Sequence, residues 1–194
     1  DGAMAALQAS GVQNPYWVPP TRWQLFVSLL GQFGGSLYDE SGTRATFGSA
    51  AGVQALTWMR AAVEHGYSPQ GASNDRAPLK NGSAAFLTDL PATIPDLGKT
   101  APDLPWEVAP LPQVGPRPGA FANSHNFVLT RQSQADPDTA HAAQVFLDWT
   151  SRNSATWAEA GNTPARGVAR DTDVFRASRQ AVLATDEVFA NLFF

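Results

Sequence analysis

Proline decides more about this chain than any other residue type, because each of its 15 prolines fixes φ and removes a backbone N–H. Pro15, Pro19 and Pro20 forbid a continuous helix between Gly11 and Pro20, so that stretch reads as irregular. Pro110, Pro112, Pro116 and Pro118 make a second stretch extended and stiff. Between these breaks the apolar spacing is helical. Trp23, Phe26, Val27, Leu30 and Phe33 share one face of a helix that Gly34-Gly35 ends. Ser49 is placed to cap a helix carrying Val53, Leu56, Met59, Arg60 and Val63, with Gly66 as its stop. Asp136-Pro137 opens a third helix through Ala140, Ala143, Phe146, Leu147 and Trp149. Ser154 starts a turn holding Trp157 that Gly161 closes, and Asp171 is placed to cap a last helix with Phe175, Arg179, Val182 and Leu183. The strands read as short: a hairpin from Leu37 to Phe47 around a polar turn, then Ala84–Leu87, Trp106–Ala109 and Asn126–Leu129. The class is mixed α/β. Core packing is expected for Trp58, Trp149 and Trp157, whereas Trp23 stands at a helix start close to Tyr16.

With 43% hydrophobic and 15% charged residues the chain is globular, and 194 residues suffice for one large domain or two small lobes. The net charge of -4, with Lys80 and Lys99 the only lysines, argues against a nucleic-acid or anionic-membrane surface, since a basic stripe would need the scattered arginines. The absence of cysteine excludes disulfides, thiolate metal sites and a cysteine nucleophile. No apolar run reaches the ~20 residues that span a bilayer, and Asp1 to Leu7 carry no signal-peptide pattern. His65, His125 and His141 lack the H-E-x-x-H spacing, Ser124 and His125 are adjacent and point apart on a strand, and no G-x-S-x-G or phosphate-binding glycine loop occurs. No cofactor and no metal are implied. An enzyme is therefore not expected; a pair of carboxylates is all a glycosidase needs, which leaves a carbohydrate-active enzyme as the alternative.

Eight segments then fall in a recognisable order: Gln13-Asn14-Pro15-Tyr16-Trp17; Gly34 to Gly42; Ala55-Leu56-Thr57-Trp58-Met59; Lys80-Asn81-Gly82-Ser83-Ala84-Ala85-Phe86; Val108-Ala109-Pro110-Leu111-Pro112; Ser124 to Leu129; Ala142 to Trp149; and Trp157 to Arg166, with its w-x-x-x-G-x-x-P-x-R pattern. Together they resemble the family 1 extracellular solute-binding proteins of ABC transporters, which include maltose-binding and other sugar-binding proteins. The resemblance implies a periplasmic-binding-protein-like type II fold, here mainly the helix-rich second lobe with part of the segment returning to the first. It implies residues 1–119 as second-lobe core, 120–165 as the return segment and 166–194 as a helical second-lobe segment. Members of the family are longer and begin with a complete βαβ lobe, so this chain is expected to be a piece of such a protein. The implied function is capture of a sugar or oligosaccharide and its delivery to the permease subunits of an ABC importer by two-lobe closure. A fragment without independent activity is the further alternative. The implied location is extracytoplasmic, with membrane contact only through a lipid anchor outside this chain.

Sugars present in-plane hydroxyls and weakly apolar C–H faces, so their sites combine aromatic platforms with Asp, Asn and Arg hydrogen-bonding groups. Asn14, Tyr16 and Trp17 lie in a proline-bounded segment that the resemblance places at the cleft, and Trp23 is near them. Asn14 is also a natural turn residue; packing under a loop is the alternative for both aromatics, with Tyr16 placed at the cleft and Trp17 fitting either role. Asp89 follows the Ala84–Leu87 strand, where it serves a ligand or caps a helix near Pro91. Asn123, Ser124 and His125 form a polar entrance to the next strand. Arg166 can fork onto a hydroxyl or make a structural ion pair.

Overall fold

Backbone pairing starts inside the segment whose prolines suggest irregular chain. In the computed structural model, which describes residues 2–131, 136–190 and 192–193, strand β1 (Asn14–Trp17) passes through Pro15 and runs parallel to β2 (Ala84–Leu87). Asn14 lies opposite Ala84, Tyr16 opposite Phe86 and Trp17 opposite Leu87. A two-stranded sheet has only edges, where proline's missing N–H is tolerated; that is why the expectation of irregular chain is corrected here. Parallel neighbours need a long crossover, supplied by α2 (Trp23–Gln32), α3 (Ala50–Glu64) and α4 (Ala77–Lys80), while α1 (Gly2–Ala9) packs on β1.

By contacts the chain divides into two compact units, each drawn from separated stretches. Unit 1 comprises Asp1–Leu90, Pro110–Ala122 and Glu187–Phe194; unit 2 comprises Pro91–Ala109 and Asn123–Asp186. The core of unit 1 gathers Met4, Tyr16, Val18, Leu25, Leu29, Ala55, Met59, Ala62 and Tyr67, with Phe26, Phe33, Trp58, Leu111 and Val114 packed against it. Both long helices of unit 1 occupy the expected stretches, with Ser49 at the α3 N-cap in extended backbone, though without a side-chain cap bond; α3 buries Ala51, Ala55, Met59 and Ala62, whereas the expected Val53 and Leu56 are exposed. The hairpin is present as an antiparallel bridge between Tyr38 and Ala45, its turn held by the Asp39 carboxylate, which accepts from the Ser41 hydroxyl at 2.7 Å.

The proline-rich stretch is fastened to α2 by one side chain. Gln32 is fully buried; its Oε1 accepts from the N–H groups of Val114 (2.7 Å) and Gly115 (3.1 Å). Its Nε2 donates to the carbonyls of Pro112 (3.1 Å) and Gly119 (2.9 Å). All of its amide valence is used inside the fold. The approach is so close that a Cβ on Gly115 would stand 2.6 Å from the Gln32 carbonyl, so only glycine fits there. Beyond this strap, β3 (Ala120–Phe121) pairs in parallel with β4 (Leu192–Phe193).

In unit 2, α5 (Thr93–Thr100) begins after Pro91, and its N-cap position is Ala92 rather than Asp89. α6 (Pro137–Arg152) starts at Asp136, whose carboxylate accepts from the backbone N–H of Asp138 and Thr139, both at 3.2 Å. A 3-10 helix over Ser154–Ala160 closes at Gly161 with φ +84°. The expected last helix is instead broken into α7 (Gly167–Arg170), α8 (Asp173–Arg176), a 3-10 turn over Arg179–Leu183 and α9 (Asp186–Ala190). Thr172, not Asp171, caps α8 through its hydroxyl, because Asp171 is drawn to Arg176 at 3.1 Å.

Two expected strands are corrected. Trp106–Ala109 and Asn126–Leu129 carry β-prone side chains, but among the described residues neither has a neighbouring strand to complete a ladder. Trp106 is held instead by Arg179, whose guanidinium lies 4.3 Å from the indole centroid and donates to the Trp106 carbonyl at 2.8 Å. Core packing is likewise corrected for Trp149 and Trp157. Trp149 is 60% exposed, and its α6 neighbours Val145 and Phe146 are also open, because among the described residues of unit 2 no sheet covers that apolar face.

Candidate functional site

Parallel strands gather their polar business at their carboxyl ends, where the chain leaves the sheet. At those ends β1 and β2 deliver Trp17, Thr88 and Asp89. Trp17 is half-buried, and its indole N–H donates to the Ser73 carbonyl at 2.8 Å. The next residue, Val18, donates its N–H to the Ser68 hydroxyl at 3.0 Å, so the loop after α3 is tied to the β1 terminus twice. Tyr16 points inward: it packs edge-to-face on Trp58 at 5.8 Å, and its hydroxyl is hydrogen-bonded to that of Thr88.

Asp89 is the hub. One carboxylate oxygen accepts from Arg22 Nη1 at 2.8 Å and from the Leu90 N–H at 2.8 Å. The other accepts from Arg76 Nε at 2.7 Å. Asp89 and Arg22 are each only 8% exposed at the side chain, whereas Arg76 is 38% exposed. The Nε of Arg22 is buried without a hydrogen-bond partner among the described residues. Next to Arg22 the first residue of α2, Trp23, is 51% exposed with its ring edge-on to Phe121 at 4.9 Å. Two indoles and a buried carboxylate flanked by guanidinium groups thus share one end of the small sheet. Such a surface can stack a flat C–H face and hydrogen-bond hydroxyls.

Burial of the Tyr16 phenol pushes its pKa above the ordinary 10.0, against smaller opposing effects of Thr88 and Arg22. The unfolded chain therefore ionises first. The stabilisation is intact below pH 10 and is lost as pH rises from there through the higher folded value. Urea midpoints measured from neutral pH to the alkaline limit are expected to fall beyond that point, and the Tyr16→Phe variant is expected to show a flatter alkaline limb. An unchanged limb in the variant would mean that another group governs it.

The remaining expected site residues fall elsewhere. Asn14 is at the opposite, amino end of β1, its amide donating to the Ser83 carbonyl at 2.9 Å. It edges an open depression of about 650 Å³ with Arg60, Val63, Glu64 and Ser68, where Arg60 and Glu64 pair at 2.6 Å. Asn123, Ser124 and His125 belong to unit 2 and are exposed, with Ser124 and Asn126 hydrogen-bonded to each other. Arg166, also in unit 2, donates to the Ser151 hydroxyl at 3.2 Å and lies 3.6 Å from Asp148. Arg22, Arg76 and Thr88 went unpredicted: Arg22 and Arg76 meet Asp89 across 67 and 13 residues, and no local motif signals such a meeting. Among the described residues no group of three or more His, Asp or Glu side chains could hold a metal ion, and no helix is long and apolar enough to cross a membrane.

The family model for bacterial extracellular solute-binding proteins matches residues 3–181. The chain belongs to this family. Comparison with curated protein sequences gives no match. Among solved structures, this solute-binding chain is similar to the sugar-binding protein MalE from Xanthomonas citri, with a TM-score of 0.78 and 18% identity over 97% of this chain and 50% of that one. It is also similar to the maltose/maltodextrin-binding domain MalE of Bdellovibrio bacteriovorus bound to maltotriose, with a TM-score of 0.71 and 15% identity over 93% and 48% of the two chains. A third is the maltose-bound MalE3 of T. maritima, at 0.69 and 21% over 98% and 52%. The likeness establishes the type II binding-protein fold expected from sequence, and the chain spans about half the length of these structures.

Proposed function

We propose that the chain forms part of a sugar-binding protein that works outside the cytoplasm and hands an oligosaccharide to an ABC importer. The observation that carries this reading is the Asp89 hub at the carboxyl ends of β1 and β2, with Trp17 ending β1 and the exposed Trp23 next in sequence to Arg22. Family membership supports solute binding, and the maltose and maltotriose complexes of similar structures support a sugar as the solute. No catalytic step is assigned, and the protein is not an enzyme in this reading. Residues 1–119 form second-lobe core, 120–165 the segment returning to the first lobe and 166–194 a helical second-lobe segment; this division rests on the family resemblance. Tyr16 lies buried beside Trp17 in β1, Asn14 stands at the other end of that strand away from the cluster, and on unit 2 the exposed Asn123, Ser124 and His125 are candidate hydrogen-bonding groups of that unit. Arg166 is a further candidate on unit 2, its guanidinium bonded to the Ser151 hydroxyl. A lipid anchor on the complete protein and contact with permease subunits belong to the same proposal, as does closure of two lobes over the ligand.

Calorimetric titration of the complete protein with maltose, maltotriose and a panel of other oligosaccharides tests the reading. The expected result is saturable binding of at least one sugar, with small-angle scattering showing compaction at saturation. Heat from none of them, or turnover of a glycoside, would overturn it.

A further inference from the structure

We infer that Arg76 is the ligand-contacting, specificity-determining group of this surface, and that Asp89 acts through it as a positioning residue. The inference rests on the sugar-binding reading and deepens it. Three side chains form the ionic cluster, and exposure separates them: Arg22 and Asp89 are 8% exposed at the side chain and Arg76 is 38% exposed. Asp89 already accepts from two guanidinium groups and from the Leu90 N–H. An ionised carboxylate has about four acceptor positions, so at 8% exposure a ligand hydroxyl reaches Asp89 poorly and reaches Arg76 well.

The cluster fixes the orientation of Arg76 from both ends. Its Nε–H on Asp89 at 2.7 Å sets the plane of the guanidinium fork. Its backbone is held by Asp75, which accepts the Ser73 hydroxyl and, at 2.9 Å, the Ala77 N–H. The Ser73 carbonyl in turn receives the Trp17 indole N–H at 2.8 Å. One four-residue loop therefore carries Arg76 and anchors Trp17, so the planar donor and the aromatic ring are both held by Ser73–Arg76. A rigid fork of N–H donors matches a pair of neighbouring acceptor oxygens, which a lysine ammonium does not. In a saccharide that pair is two adjacent ring hydroxyls, with the C–H face available to the indole.

The test uses the complete protein, maltotriose and the other oligosaccharides of the panel as probes, and three readouts: affinity by calorimetry, thermal midpoint, and the 15N resonance of the Arg76 Nε–H. Arg76→Ala and Arg76→Lys are each expected to weaken affinity by about 10- to 100-fold; Arg76→Lys keeps a cation beside Asp89, and Arg76→Ala is expected to lower the thermal midpoint less than Asp89→Ala does because Arg22 still pairs the carboxylate. The Arg76 Nε–H resonance is expected to move on sugar addition. Asp89→Asn is expected to weaken binding in the parent but to add little in the Arg76→Ala background, the non-additive pattern of a residue acting through another; Asp89→Glu serves if that variant does not fold. Binding that survives Arg76→Ala unchanged, or an Asp89 effect equal in both backgrounds, overturns this assignment alone. Absence of sugar binding by the unaltered protein overturns the sugar reading and this assignment together.

Discussion

Replacing Asp89 by alanine is expected to cost unit 1 about 3–5 kcal/mol, the range for removing one member of a buried ion cluster. The carboxylate and the Arg22 guanidinium are both 8% exposed, so the alanine variant leaves Arg22 charged, enclosed and without its counter-ion. Arg22 Nε already has no hydrogen-bond partner among the described residues, which leaves that side chain little capacity to recover. Urea unfolding at neutral pH, followed by tryptophan fluorescence, measures the loss directly. Arg60→Ala is the matched control, since its i,i+4 partner Glu64 is exposed at the surface and such pairs contribute little. A loss under about 1 kcal/mol for Asp89→Ala would show that water reaches the cluster and replaces the carboxylate.

The second large effect is expected at Gln32. Gln32→Leu keeps roughly the side-chain volume but abolishes four hydrogen bonds at once, two donated and two accepted. Each buried backbone group left unmatched costs about 1–3 kcal/mol, so a total near 3 kcal/mol or more is expected once the strap relaxes. Native-state hydrogen exchange distinguishes this from a general loss of stability: the Val114 and Gly115 amides are expected to lose protection before those of α3. Equal protection of those two amides in variant and parent would mean that the strap is held by its own stiffness and by apolar contacts.

The positions of α2, α3 and α6 were legible because their apolar spacing and their boundary residues agree, as with Asp136 and Pro137 opening α6. β1 was hidden by Pro15, whose effect depends on whether a strand lies at an edge, a fact about its partner and not about itself. Trp106–Ala109 and Asn126–Leu129 failed in the opposite sense. Their residues suit a strand, yet a strand exists only when another lies beside it. The candidate site was legible in its aromatic half, since Trp17 and Trp23 stand near each other in sequence. Its ionic half was not: Arg22, Arg76 and Asp89 are ordinary surface-type residues until the β1–β2 pairing and the loop before α4 bring them within 2.8 Å. Trp149 shows a further limit, because helical periodicity identifies an apolar face without saying what covers it.

Neither unit is a continuous piece of sequence, and that shapes how the protein is made. Unit 1 closes only when Pro110–Ala122 and Glu187–Phe194 join its first ninety residues. The parallel partner of Ala120–Phe121 is Leu192–Phe193, seventy-two residues later. Along the sequence, α1 to α4 and both strands of the first sheet come before the strap and share one core. The strap held by Gln32 follows, and the β3–β4 pairing waits until unit 2 has been synthesised. Closing so long a loop is slow relative to local helix packing. Until Leu192–Phe193 is in place, the edge of β3 that it pairs with stands open.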